Sequence, residues 1–250
     1  MGNEQEFPAE KKFSLRVPAS PPLRVAFYGG SFDPIHNGHL AIARKLIEIF
    51  AFDEFVFIPA FHAPHKPGRK PVSAFHRFAM LILTTETDAK IKVSTVELDA
   101  PEKPFTFETQ TKIKSELPEA QIFFVVGADS WNEIDTWRNW TEVLTLTNIV
   151  VVTRPNYELN FSRVTDEIRA RIVDLTEDFN AKTQGRESLT KELEAWNLKL
   201  ENKIFITDAV QMNVSATEIR QMIREKKSGW REFVPQAAAD YIEKYNLYLK

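Results

Sequence analysis

Apolar and polar positions along this chain follow two rhythms. Short apolar runs recur at Arg24–Tyr28, Glu54–Ile58, Ile91–Val96, Gln121–Val126, Asn148–Val152 and Lys203–Thr207. Between them, apolar residues return at helical spacing near 38–50, 74–87, 106–116, 129–145 and 215–226, and again near 235–246. The first rhythm predicts short strands and the second amphipathic helices. Their alternation predicts an α/β fold, a doubly wound and mainly parallel sheet with helices on both faces. The runs FVFI, IFFVV and IVVV carry few polar positions, as strands buried on both sides should.

Two stretches break the pattern. Residues 1–22 are polar and hold Pro8, Pro18, Pro21 and Pro22, which predicts a flexible leader before a single domain at 23–250. Residues 158–202 are richer in Asp, Glu, Lys and Arg than the chain's 27%. They predict one or two solvated helices inserted before the last strand, too short for a core of their own and remote from any ligand.

Composition narrows the chemistry. The chain of 250 residues contains no cysteine, which excludes disulfides, thiolate metal sites and a cysteine nucleophile. Its net charge of -3 argues against a protein that holds nucleic acid by bulk charge. No apolar run approaches the roughly 18 residues of a membrane span. Glu4, Glu6, Glu10, Lys11 and Lys12 crowd a start that has no apolar stretch, so neither a secretory signal nor a myristoylation pattern is expected. A cytoplasmic location is expected, and a homo-oligomer is left open.

Glycine is scarce, 8 in the whole chain, yet Gly29, Gly30 and Gly38 fall in one string, GGSFDPIHNGHL, over residues 29–40. The string runs from the end of the first strand into the first helix. Glycine lets the backbone approach a ligand closely, and a helix N-terminus attracts phosphate. His36 and His39 are three apart and can face one side of that junction. Two imidazoles there could donate to phosphoryl oxygens, most strongly as charge builds up in a transition state. The same string could also be a turn with two packed histidines. The spacing is neither the GxGxxG dinucleotide fingerprint nor a P-loop.

A second anchor is VSATEIR, residues 214–220. Ser215 with Glu218 three residues on reads as a capping box, so a helix should begin there. Thr217 and Arg220 then share a face, and with Ser215 they make another anion-binding helix end, or else a plain cap beside an arginine. Gly127 after the fourth strand allows close approach, and Asp129 could accept from a ribose.

With these blocks in view, His36-Asn37-Gly38-His39 after GGSFDP resembles the HxGH signature of the nucleotidyltransferases. More blocks resemble the bacterial nicotinate-nucleotide adenylyltransferase family over about residues 23–250. FIPAFHAPHKP resembles its IPxxxPPHK segment, with Ala63-Pro64 for Pro-Pro. PFTFET resembles S-Y-T-x-D-T, and VVGADSWNEIDTWRNW resembles GxDxxxxxxxWxxW. TRPNY resembles RPGY with Asn156 for glycine, and VSATEIR resembles ISSTxIR with Ala216 for a serine. The closing FVPQAAADYIEKYNLY resembles VPxxVxxYIxxxxLY and looks structural. In HRFAML the apolar positions look like core, and Arg77 is given no catalytic role.

The resemblance implies a Rossmann-like nucleotidyltransferase fold and a reaction joining ATP with nicotinate mononucleotide, giving deamido-NAD and pyrophosphate. It implies catalytic roles for His36, His39 and Arg220. ATP would meet Gly29, Gly30, Ser31, Phe32, Gly127, Asp129, Ser215 and Thr217. The mononucleotide would meet Lys66, Thr106, Trp137, Arg138 and Arg154, with Trp137 stacked on the pyridine. Two tryptophans at helical spacing, Trp137 and Trp140, are otherwise read as core. Mg2+ would be carried mainly by ATP, since it keeps its waters and needs few carboxylates. Rival readings are a nicotinamide-mononucleotide or phosphopantetheine adenylyltransferase, and a nucleotide-binding protein without catalysis. The Trp137 block, the PHKP segment, and the presence of both histidines with Arg220 count against them.

Overall fold

The structure, a computed structural model, describes residues 21–61, 71–100, 102, 104–153, 157–176, 202–210, 212 and 214–249. In chain order its elements are β1 (Arg24–Gly30), α1 (Asn37–Phe50), β2 (Glu54–Pro59), α2 (Ala74–Thr85) and β3 (Ile91–Val93). Next come α3 (Thr106–Glu116), β4 (Gln121–Gly127), α4 (Ala128–Asn132), α5 (Trp140–Leu146) and β5 (Asn148–Val152). The remainder is α6 (Asp166–Arg169), β6 (Ile172–Asp174), β7 (Ile204–Thr207), α7 (Ala216–Arg224) and α8 (Gln236–Lys244).

The strands form one sheet in the order β3-β2-β1-β4-β5-β7-β6, and every neighbouring pair is parallel. From β1 the chain winds outward to β3, then restarts at β4 on the other side of β1. Connections on the two sides leave in opposite directions, which opens a crevice beyond the carboxyl ends of β1 and β4. Tyr28 lies opposite Val125, so two residues further on Gly30 is level with Gly127.

Each central strand splits its side chains between two cores. Ala26 and Tyr28 of β1 and Phe123 and Val125 of β4 face one side, against Leu40, Leu46, Met80, Ile219 and Ile242 of α1, α2, α7 and α8. Val25, Phe27, Ile122, Phe124 and Val126 face the other, against Ile113, Trp131, Leu144 and Ile168 of α3 to α6. Both faces of the sheet are therefore dry, which is why the strands read as unbroken apolar runs.

Two segments differ from their sequence readings. Within 158–202 the expectation was of solvated helices. Its described part instead contributes α6 and the edge strand β6, paired with β7 from Ile172↔Ile204 to Asp174↔Ile206. Val164, Ile168 and Leu175 are buried beneath it. Residues 129–145 were read as one helix and form three pieces, with a 3-10 turn at Ile134–Thr136 and a left-handed Asn139 (φ 52°) just before α5. No helix among the described residues is long and apolar enough to cross a membrane.

Candidate active site

The turn between β1 and α1 is built around rings. Phe32 adopts a positive φ of 45°, unusual for a side-chain-bearing residue, and buries its ring against Tyr28, Phe57 and His39. A Cβ on Gly30 would lie 2.9 Å from that ring. The glycine thus admits the protein's own phenyl group, where the sequence had suggested close approach of a ligand. Gly29 is similarly tight, its added Cβ falling 3.3 Å from Phe124, whereas Gly127 faces open space. Ser31 is exposed at the tip, and the Asp33–Pro34 bond is cis.

His36 is the N-cap of α1, and its ring stacks on His39 with centroids 3.6 Å apart and planes 21° from parallel. Gly38 makes room for this pair, since a Cβ there would come within 3.1 Å of the His36 ring. The His36 backbone N–H donates to His39 Nδ1 at 3.2 Å. A neutral His39 must then carry its proton on Nε2, which makes that atom a donor. His36 is buried and His39 half-buried.

The second anchor lies directly beside the first. Ser215 caps α7, its hydroxyl accepting from the Thr217 N–H at 3.3 Å. One turn on, Arg220 donates through Nη2 to Thr217 Oγ1 (3.1 Å) and through Nη1 to the Asp33 carbonyl oxygen (2.5 Å). That last bond ties α7 to the β1–α1 turn. Val214, just before the cap, is 3.8 Å from where a Gly38 Cβ would stand. The N-termini of α1 and α7 therefore lie side by side.

Of the candidate mononucleotide residues, Thr106 lies at the start of α3, and Trp137 and Arg138 lie between α4 and α5. Thr106 begins α3 and is half-buried. Arg138 reaches back to that helix end, 3.3 Å from Glu108 and with its guanidinium 5.1 Å from the centre of the Phe105 ring. Trp137 is extended, immediately after the 3-10 turn, and is half-buried against the second core with Trp140. The two tryptophans do not share a helix. Among the described tryptophans, Trp131 is fully buried, and its Nε1–H donates to the Asn160 carbonyl. Asp129 is exposed in the first turn of α4. Lys66 and Arg154 lie outside the described residues.

One residue that the sequence reading set aside underlies both loops. Arg77, fully buried, donates from Nη1 to the Ser31 carbonyl (2.5 Å), from Nη2 to that of Ala60 (2.6 Å) and from Nε to that of Val72 (3.0 Å). It clasps the β1–α1 turn to the segments flanking 62–70. Burial pushes its pKa below the ordinary arginine value, while Asp33, Tyr248 and Glu97 push it up. Burial also raises the Glu97 carboxyl, against a hydrogen bond from Thr109 Oγ1 (3.1 Å) and the attraction of Arg77. The signal was present in the sequence: Ala74, Arg77 and Leu81 fall on the buried stripe of α2, where an unpaired charge is costly.

Residues 27–222 match the family model described as Cytidylyltransferase-like. The chain is 34% identical to the "Probable nicotinate-nucleotide adenylyltransferase" of Thermoanaerobacter sp., over 91% of this chain and 95% of that protein. It is 32% identical to the protein of the same name from Neisseria gonorrhoeae, over 91% and 99%. Among solved structures, the fold is similar to "Plasmodium falciparum nicotinic acid mononucleotide adenylyltransferase complexed with NaAD". That likeness has a TM-score of 0.64 and 18% identity, covering 90% of this chain and 97% of that one. The same enzyme complexed with APC gives a TM-score of 0.62 over the same shares. By sequence, this chain belongs to the nicotinate-nucleotide adenylyltransferase family of the cytidylyltransferase-like proteins.

Proposed function

We propose that the crevice catalyses adenylyl transfer from ATP to nicotinate mononucleotide, and that the turn carrying His36 and His39, bonded to Arg220, is its phosphate-handling part. A 5′-phosphate oxygen of the mononucleotide attacks the α-phosphorus of ATP. The new P–O bond forms as the bond to the β-phosphate bridging oxygen breaks, releasing pyrophosphate. The attacking phosphate is already ionised at neutral pH, so the step needs alignment and charge stabilisation rather than a general base.

The observation that carries this reading is the direct Arg220–Asp33 bond. It ties a guanidinium to the turn that carries the stacked histidines, where two helix N-termini with their positive dipole ends favour an anion. ATP would lie along Gly29 to Phe32 and on the open face of Gly127, with Asp129 near the ribose and Ser215 and Thr217 at the phosphates. The mononucleotide would lie toward Thr106, Trp137 and Arg138, and toward Lys66 and Arg154. Mg2+ would arrive on the ATP phosphates and withdraw charge from them. The imidazole and guanidinium donors of this crevice suit that division, since a carboxylate cluster would be needed to hold the ion on the protein.

Pyrophosphate release tests the reading. With nicotinate mononucleotide the catalytic efficiency should exceed that with nicotinamide mononucleotide by at least roughly 100-fold, because a site that bonds a carboxylate leaves a carboxamide unsatisfied. Equal use of the two would move the substrate to the amide, and no release with either would end the proposal.

A further inference from the structure

Asp33 is a buried carboxylate, 7% exposed, at the centre of the phosphate-side turn. A carboxylate taken out of water needs donors around it. One partner is Arg220, whose Nη1 lies 3.7 Å from Oδ2. The other comes from the far side of the sequence: the Tyr248 hydroxyl donates to Oδ1 at 2.8 Å. Tyr248 follows α8 and is 8% exposed, as is Arg220. To aim its ring inward the backbone takes a positive φ at Asn246 (51°) and at Tyr248 (66°), a region that side-chain-bearing residues resist.

We propose that Tyr248 is a positioning residue for Arg220, acting through Asp33; the inference rests on the adenylyl transfer proposed above. The separation of 3.7 Å exceeds the roughly 2.7–2.9 Å of a close guanidinium–carboxylate bond. The tyrosine hydroxyl satisfies one carboxylate oxygen and holds the group at that distance. Arg220 is meanwhile oriented by two further acceptors among the described residues, the Asp33 carbonyl and the Thr217 hydroxyl. Without the hydroxyl, the carboxylate closes on the guanidinium and draws it away from those two acceptors. Burial and the neighbouring Asp33 raise the Tyr248 pKa far above its ordinary value, so the hydroxyl remains a donor at every working pH. A purely structural Tyr248 would act through its ring, which packs in the first core and would persist in phenylalanine.

The test is a set of variants in the pyrophosphate-release assay with ATP and nicotinate mononucleotide. Tyr248→Phe should lower kcat about tenfold, the effect of one bond to a charged group. In an Arg220→Ala background the same change should alter kcat less than about twofold, because residues that act as a unit are not additive. Adding Asp33→Asn to Tyr248→Phe removes the charge left without its donor, and should recover kcat at least threefold over Tyr248→Phe alone. That double variant leaves no buried carboxylate short of its donor, so it can be read even where Tyr248→Phe folds poorly. Multiplicative losses with Arg220→Ala, or no recovery with Asp33→Asn, would overturn the positioning role. A wild type that releases no pyrophosphate would instead overturn the proposed reaction.

Discussion

The two sides of the crevice are built differently. On the phosphate side, Asp33, His36 and Arg220 are buried, and the turn is bonded to α7 and clasped from beneath by Arg77. Opposite, Trp137 is half-buried and Arg138 is exposed, held to Glu108 by a surface ion pair. Such a pair contributes only about 0–1 kcal/mol, so Arg138 can exchange Glu108 for a ligand at little cost. The difference matches what each proposed task would require. Donors to developing charge must be in place before the reaction, since reorganising them would consume the advantage. A surface that stacks a ring can settle around its ligand.

Substitutions can separate the two sides. The largest effect is expected from His39→Ala on the phosphate side. Its kcat should fall roughly 100- to 1000-fold, the cost of losing one preorganised donor, while the melting midpoint moves by only a few degrees. Near-normal turnover would remove the imidazole from catalysis. Arg77→Met should act first on stability. It strips the partners of the Ser31, Ala60 and Val72 carbonyls, at about 1–3 kcal/mol for each group left buried. Urea unfolding should show a loss of about 3 kcal/mol or more, and a smaller one would mean that the turn holds its shape without the clasp.

On the open side, Trp137→Ala should raise the Michaelis constant for the mononucleotide about tenfold or more, since stacking contributes ~1–3 kcal/mol, and leave that for ATP within a fewfold. Equal damage to both substrates would place Trp137 in the core alone. The smallest effect concerns Glu97, which burial holds above its ordinary value of 4.5. Folding then takes up a proton. The stability this group contributes is present below pH 4.5 and is lost as pH rises through the folded pKa. In Glu97→Gln the decline of the melting midpoint above pH 4.5 should flatten relative to the wild type; parallel curves would show that Glu97 titrates as it does in the unfolded chain.

How legible these features were follows from how each is encoded. The central strands were plain because a sheet dry on both faces writes contiguous apolar residues, and Asn148–Val152 and Thr106–Glu116 coincide with their readings. The edge strand β6 was hidden. Its three residues, Ile172 to Asp174, sit among charges and carry no period to detect. The break at Asn139 was missed because Trp137 and Trp140 mimic helical spacing while the backbone turns left-handed between them.

In the site, His36, His39 and Arg220 stood out because unusual residue types cluster within a few positions. Gly30 stood out too, but for a partner that spacing could not reveal, the ring of Phe32. Arg77 and Tyr248 were set aside for a different reason. Arg77 did leave a mark, a charge on the apolar stripe of α2, but the main-chain carbonyls it meets, like the buried carboxylate that Tyr248 meets, are partners that spacing does not reveal.

The bonds to Asp33 also bear on how the molecule comes into being. Asp33 meets Arg220 across 187 residues of chain and Tyr248 across 215, whereas the Arg24–Asp53 bond at the strand ends spans 29. Closing the longest of these loops costs about 2 kcal/mol more than closing the shortest, by the logarithmic growth of loop entropy. Time matters as well as entropy. At about 5–20 residues per second, synthesis leaves the histidine turn waiting on the order of ten to forty seconds before residue 248 is made. Throughout that interval a nascent chain holds His36 and His39 without the tyrosine that sets Arg220. The proposed nucleotide site is consequently completed last, after the sheet that supports it, and a chain halted just upstream of Tyr248 would display the signature motif while lacking that tyrosine.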